Sequence, residues 1–134
     1  MYEPIRTKSV HTMADPADDY PHRSREEELD IQLAGHLSAL LAVTDELGLT
    51  DAAELIAAQV GRLRGAPPVR HAGHSRAPSR DLHRRAHALA GRALVVAASR
   101  ADTAVAVLAA RRMDAHAAAL DAAELDASRL VGAH

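Results

Sequence analysis

Between Gly91 and Gly132 the chain contains neither glycine nor proline, the two residues that most readily interrupt a helix. Alanine, the strongest helix former, occurs 31 times, whereas phenylalanine, tryptophan and cysteine are absent. No segment shows the apolar–polar alternation that is typical of a half-buried strand. The sequence therefore predicts an all-α fold whose core is packed by Ala, Leu and Val.

A leucine-rich pattern predicts the first helix, which we expect to begin at Ser24. Ser24 and Glu27 have the spacing of a capping box, in which each side chain accepts a hydrogen bond from the other residue's backbone N–H. Gly48 is a suitable stop. The apolar stripe between them comprises Leu29, Leu33, Leu37, Leu40, Leu41, Val43 and Leu47. Residues 1–23 have three prolines and no such stripe, which predicts an irregular acidic N-terminal arm.

Two more helices are predicted on either side of a loop. Asp51 and Glu54 resemble a second capping box, so we expect a helix from about residue 50 to Gly65. Its apolar side comprises Leu55, Ile56, Val60 and Leu63. Residues 65–78 contain three prolines and two glycines, which predicts a basic loop before a helix capped by Ser79. Residues 24–134 are expected to form one helical bundle domain.

The end of the third helix allows two interpretations. The apolar face through Leu82 and Val96 lies roughly half a turn around the axis from the face that begins at Val105, at about 100° per residue. A break near Ser99, where Asp102 could complete a capping box, gives four helices in an antiparallel bundle. The alternative is three helices, of which the last is about fifty residues long and serves two partners on opposite faces.

The small core side chains favour self-association. Each methylene removed from water contributes only about 0.8 kcal/mol, so a core of alanine buries little apolar area per residue. Modest stability in a single small core predicts a homodimer that shares the burial.

The formal net charge of −2 hides two blocks of opposite sign. Residues 1–61 carry four basic and twelve acidic side chains, whereas residues 62–92 carry eight arginines and one aspartate. A basic block of this kind can bind an acidic surface on another protein. The leading hypothesis is therefore a non-enzymatic interaction or regulatory module without a cofactor. Its expected partner-binding residues are Arg70, Arg76, Arg80, Arg84 and Arg85.

Histidines give the alternative hypothesis, a metal-binding helical protein. His83 and His87 stand one helical turn apart, a spacing that can place two imidazoles on one divalent transition metal. A zinc site needs two more ligands, and the neighbouring arginines oppose a bound cation. His36 and His116 lie on or beside apolar stripes, where each could make one hydrogen bond, or the two could meet across the bundle.

Nucleic-acid binding is a weaker hypothesis. The basic block has no aromatic side chain on which bases could stack. Residues 44–65 resemble a helix-turn-helix, but the second helix begins with Asp51 and Glu54, which would repel phosphates. The sequence also lacks the Gly-x-Ser-x-Gly and Gly-x-Gly-x-x-Gly motifs, so no residue is a candidate nucleophile or phosphate cradle.

The sequence contains no recognisable signal for export or membrane insertion. The first thirty residues contain no apolar run of the kind found in signal peptides. No stretch of eighteen apolar residues occurs, so we expect neither a membrane span nor a membrane partner. A cytoplasmic location is the resulting expectation.

Overall fold

The computed structural model describes the backbone of residues 5–71 and 76–132, and the side chains of residues 24–71 and 76–132. Four helices account for most of these residues: α1 (Ile5–Glu46), α2 (Thr50–Arg64), α3 (Ser79–Arg100) and α4 (Thr103–Gly132). The described part of the chain contains no strand, which confirms the all-α prediction. None of its helices is long and apolar enough to cross a bilayer.

Glycines end the first two helices at the predicted positions. Gly48 and Gly65 both have φ of +74°, the left-handed conformation that glycine adopts without the clash of a Cβ atom. The backbone N–H of Gly65 donates to the carbonyl of Gly61, which closes the last turn of α2. After these two stops, α2 and α3 each pack against α1.

The starts of the helices differ from the predicted capping boxes. α1 is already helical at Ser24, so this residue is not a helix cap. The residues that precede α2 and α3 are Leu49 and Pro78, and neither makes a side-chain capping bond. At α3 the carbonyl of Pro78 accepts from the N–H groups of Asp81 and Leu82, so the backbone alone begins the helix.

The break between α3 and α4 is confirmed. The residue that caps α4 is Asp102, three residues after Ser99. Ala101 has φ of +60°, and its N–H closes the end of α3. Asp102 then caps α4, because its Oδ1 accepts a hydrogen bond from the N–H of Val105 at 3.2 Å. The hydroxyl of Ser99 donates instead to the carbonyl of Val95 within α3, so Ser99 is not the cap. Four helices are therefore correct, and the single long helix is wrong.

The backbone of α1 extends to Ile5, through the segment for which the prolines predict an irregular arm. Proline has no backbone N–H, so Pro16 and Pro21 each leave one hydrogen bond out of this part of the helix. The side chains of residues 5–23 lie outside the described ones. Whether this segment forms a unit apart from the bundle therefore stays a prediction.

The core lies between α1, α2 and α3 and the first half of α4. α3 packs against both α1 and α4, and α2 packs against α1 with a smaller contact to α4. Most residues of the predicted stripes are buried or half-buried, whereas Leu55 on α2 and Leu130 late in α4 are 60% and 70% exposed. The buried cluster comprises Leu33, Leu37, Leu40, Leu41, Val43, Ala53, Ile56, Val60, Leu82, Ala86, Leu89, Ala90, Ala93, Ala97, Val105 and Ala109.

Candidate functional site

Arg70, in the loop that follows α2, is held by two carboxylates of its own chain. Its Nη2 and Nε donate to the two oxygens of Asp45 at 2.8 and 3.1 Å, and its Nη1 donates to Glu54 at 3.0 Å. The hydrogen bonds from Arg70 hold the pKa of Asp45 below its ordinary range, and the same bonds raise the pKa of Arg70. Arg70 therefore links the loop to α1 and α2, and its partner-binding role stays a prediction.

Arg80, in the first turn of α3, also has an acidic neighbour. Its Nη2 lies 3.6 Å from Oε2 of Glu124 on α4, and both side chains are about half exposed or more. An exposed pair at this distance contributes little to stability. Arg80 therefore stays accessible, but it faces an acid of its own chain.

The other three predicted arginines are exposed and make no hydrogen bond or ion pair with any described residue. Arg76 lies just before α3, and Arg84 and Arg85 point outward from α3. Arg92, two turns further along α3, shares these properties and was missed by the sequence analysis. Its position relative to Arg85 on a helical wheel is the signal that could have found it.

A shallow apolar groove runs beside these arginines. It has a volume of about 430 Å³ and lies between α1 and α3. Its lining comprises His36, Ala88, Gly91, Arg92, Val95 and Val96. Val95, in the second half of α3, is 66% exposed and borders this groove. We call the outward side of α3, formed by Arg84, Arg85, Ala88, Arg92 and Val95, the basic face.

The histidines pair differently from the predicted arrangement. Nδ1 of His83 lies 2.9 Å from Nδ1 of His116, across the contact between α3 and α4. His116 is fully buried, whereas His83 and His36 are half-buried. His36 lines the groove between α1 and α3, so it does not meet His116 as one alternative proposed. The sequence placed His116 on the buried stripe of α4, but it could not identify its partner.

A third residue, Arg112, fixes the tautomers of this pair. Its Nη2 lies 3.4 Å from Nε2 of His116, and a guanidinium can only donate, so Nε2 accepts. The single proton of a neutral His116 must then be on Nδ1, which donates to Nδ1 of His83. Burial, the charge of Arg112 and the proximity of His83 and His87 lower the pKa of His116 to about 4. Burial and Arg112 also lower the pKa of His83.

The surroundings of the histidine pair do not favour a cation. Nδ1 of His83 is already used by His116, and the guanidinium of Arg112 is adjacent. Within the described ranges, no group of three or more His, Cys, Asp or Glu residues is arranged to hold a metal ion. His83 and His87 thus lie one helical turn apart, but the described residues supply no further ligands beside them.

Comparison with models of known protein families, with curated proteins and with solved structures finds no match for this chain.

Proposed function

We propose that this chain is a non-enzymatic interaction module that binds an acidic surface of another protein through the basic face. The observation that carries the proposal is the contrast between two sets of arginines. Arg62, Arg70 and Arg100 each bind a carboxylate of the same chain within 3.1 Å. Arg84, Arg85 and Arg92 share one face of α3 and have no such partner among the described residues.

Unpaired guanidinium groups on a helix suit the recognition of carboxylates. Each presents a planar fork of donors that can bind a carboxylate in a bidentate manner. The apolar side chains of Ala88 and Val95 lie between them and provide a surface from which water is displaced on contact. A face with an apolar centre and a charged rim has the composition of a protein–protein interface.

The scaffold behind this face is proposed to be an antiparallel bundle. Arg100, at the end of α3, contacts Asp30 in the earlier part of α1, and Arg80, at the start of α3, contacts Glu124 late in α4. The end of α3 thus lies beside the earlier part of α1 and its start beside the later part of α4, which supports antiparallel packing of these helices. Such a scaffold holds the backbone of α3 rigid while its arginines remain exposed. We further propose that two copies associate, in keeping with the small side chains of the core.

A divalent metal site at His83 and His87 is the weaker alternative. Nδ1 of His83 is already hydrogen-bonded to His116, and a bound metal ion would add positive charge close to the guanidinium of Arg112. Nucleic acid is also disfavoured as a partner, because the basic face lacks an aromatic side chain.

The proposal is tested by reversing charges on the basic face. Proteins bound to the full chain are recovered by pull-down and identified by mass spectrometry, for the wild type and for Arg84→Glu/Arg85→Glu. A matched control, Arg64→Glu/Arg111→Glu, reverses two exposed arginines on α2 and α4. We expect the partners to be lost with the first variant and kept with the second, at unchanged helicity.

Three outcomes would contradict the proposal. The reversed basic face could retain the same partners, or the wild type could recover none. Partners could also disappear after nuclease treatment, which would show that nucleic acid bridges them.

A further inference from the structure

The last three turns of α4 form a second surface with unusual exposure. Every residue from Asp121 to Gly132 is exposed, and we call this segment the α4 tail. Leu125, Leu130 and Val131 are 61%, 70% and 76% exposed. Exposed apolar side chains concentrated in one segment mark a surface that binds another molecule.

The apolar stripe of the α4 tail continues the buried stripe of the same helix. Val105, Ala109 and His116 are buried against the bundle, and Ala127 and Leu130 follow on the same side at helical spacing. No described helix covers these later residues. The tail therefore has the pattern of a core-facing helix at a place where the described residues of its own chain provide no core.

The charges of the α4 tail are complementary to those of the basic face. The tail carries Asp121, Glu124 and Asp126 against one arginine, Arg129. The basic face carries Arg84, Arg85 and Arg92, which are unpaired among the described residues, beside an apolar groove of about 430 Å³. Apolar side chains from the tail can enter this groove while its acids meet the arginines at the rim.

The tail cannot reach the basic face of its own chain. His116 contacts His83, and Glu124 contacts Arg80, so higher residue numbers along α4 correspond to lower numbers along α3. Beyond Glu124 the tail therefore runs past the start of α3, away from Arg84, Arg85 and Val95. The complementary surfaces can meet only between two molecules.

We infer that the α4 tail of a second copy of this chain is the acidic partner of the basic face. This inference rests on the proposed function and names its partner. Each copy offers one tail and one basic face, so two reciprocal contacts close a symmetric dimer. The docked tail lays Leu130 and Val131 over the groove that Val95 borders, with Asp126 directed to the arginines.

The test measures the oligomeric state of the full chain by sedimentation equilibrium over a range of concentrations. The wild type is expected to be a dimer. Leu130→Glu/Val131→Glu in the tail and Val95→Glu in the groove should each raise the dimer dissociation constant about tenfold or more. Leu55→Glu/Val107→Glu, at exposed apolar positions outside both surfaces, is the matched control and should leave the dimer unchanged.

Exchanging the charges of the two surfaces gives a second measurement, in which dimerisation should be restored as well as lost. Arg84→Glu/Arg85→Glu makes the face acidic, and Asp121→Arg/Asp126→Arg makes the tail basic, so each variant alone should be monomeric. A mixture of the two should dimerise, because in the mixed pair one contact joins an acidic face to a basic tail and the other has wild-type charges.

A monomeric wild type, or a dimer that tolerates the tail and groove substitutions, would overturn the inference, as would a mixture that fails to associate. The proposed function is tested separately and can hold when this inference fails. If the face reversal abolishes other protein partners while tail variants remain dimeric, the face is a docking site and the tail is not its partner.

Discussion

Nδ1 of His83 and Nδ1 of His116 lie 2.9 Å apart and share one proton between α3 and α4. Neither ring can take up a second proton without losing a contact. A proton on Nδ1 of His83 would face the N–H of His116, and a proton on Nε2 of His116 would face Arg112. The packing of α3 against α4 therefore depends on two neutral imidazoles.

We predict that the stability of the protein falls as the pH decreases from 6.5 to about 4. The unfolded chain binds a proton at His116 near the ordinary pKa of 6.5, whereas the folded chain does so only near 4. Stability is therefore fully present above pH 6.5 and is lost as the unfolded state gains protons. For His116 the loss is roughly 3 kcal/mol, and His83 contributes in the same direction. Urea unfolding at successive pH values measures it.

His116→Asn is the informative variant for this pH dependence. The amide nitrogen of asparagine can still donate towards His83, but the side chain does not titrate. We expect a flatter profile between pH 6.5 and 4 than the wild type shows. The contact between Asp45 and Arg70 contributes in a different pH range. It lowers the pKa of Asp45, so the stabilisation from this contact is lost only as the pH falls below 3.8. An unchanged profile in His116→Asn would exclude the histidine pair as the cause.

A zinc titration followed by calorimetry should give the same weak heats for the wild type and for His83→Ala/His87→Ala. His83 is hydrogen-bonded to His116, and the guanidinium of Arg112 is adjacent, so this position is a poor site for a cation. Stoichiometric binding of zinc or nickel by the wild type, abolished in the double variant, would instead support the metal-binding alternative. Nickel is included because it prefers imidazole ligands in a different geometry.

Ala101→Gly should stabilise the protein by about 0.5–1 kcal/mol. Ala101 has φ of +60°, a conformation in which a Cβ atom costs roughly 1–2 kcal/mol, and part of that gain is offset by the greater freedom of glycine in the unfolded chain. The urea midpoint should rise with an unchanged slope. Ala98→Gly, at an exposed position in the last turn of α3, should lower the midpoint. Equal effects of the two substitutions would show that Ala101 is not strained.

The sequence was sufficient for features that depend on local periodicity. The change of apolar face between Val96 and Val105 located the break between α3 and α4, although neither glycine nor proline marks it. It did not reveal that Ala101 takes the left-handed conformation, because alanine gives no signal for it. The two glycine stops were predictable because glycine is the residue that this conformation favours.

The candidate site was less predictable because its contacts join distant parts of the chain. Arg70 was grouped with the free arginines, but the path of the loop returns it to Asp45, 25 residues earlier. His83 was paired with His87 from spacing, whereas its partner is 33 residues away on α4. Charge and spacing thus selected candidate residues, and the packing of the helices determines which of them have partners among the described residues.

Asp102 joins three helices, and its substitution should separate two contributions to stability. Its Oδ1 accepts from the N–H of Val105 as the cap of α4, and its Oδ2 accepts from Nη2 of Arg62 on α2 at 2.7 Å. Arg62 is half exposed, so water screens the ion pair, whereas a lost cap costs about 1 kcal/mol. We expect Asp102→Ala to lower the free energy of unfolding by about 1–2 kcal/mol and Asp102→Asn, which retains the capping oxygen, by less than half of that. If Asp102→Asn were as destabilising as Asp102→Ala, and Arg62→Ala matched both, the ion pair would be the main link between α2 and the turn before α4, and the cap would be secondary.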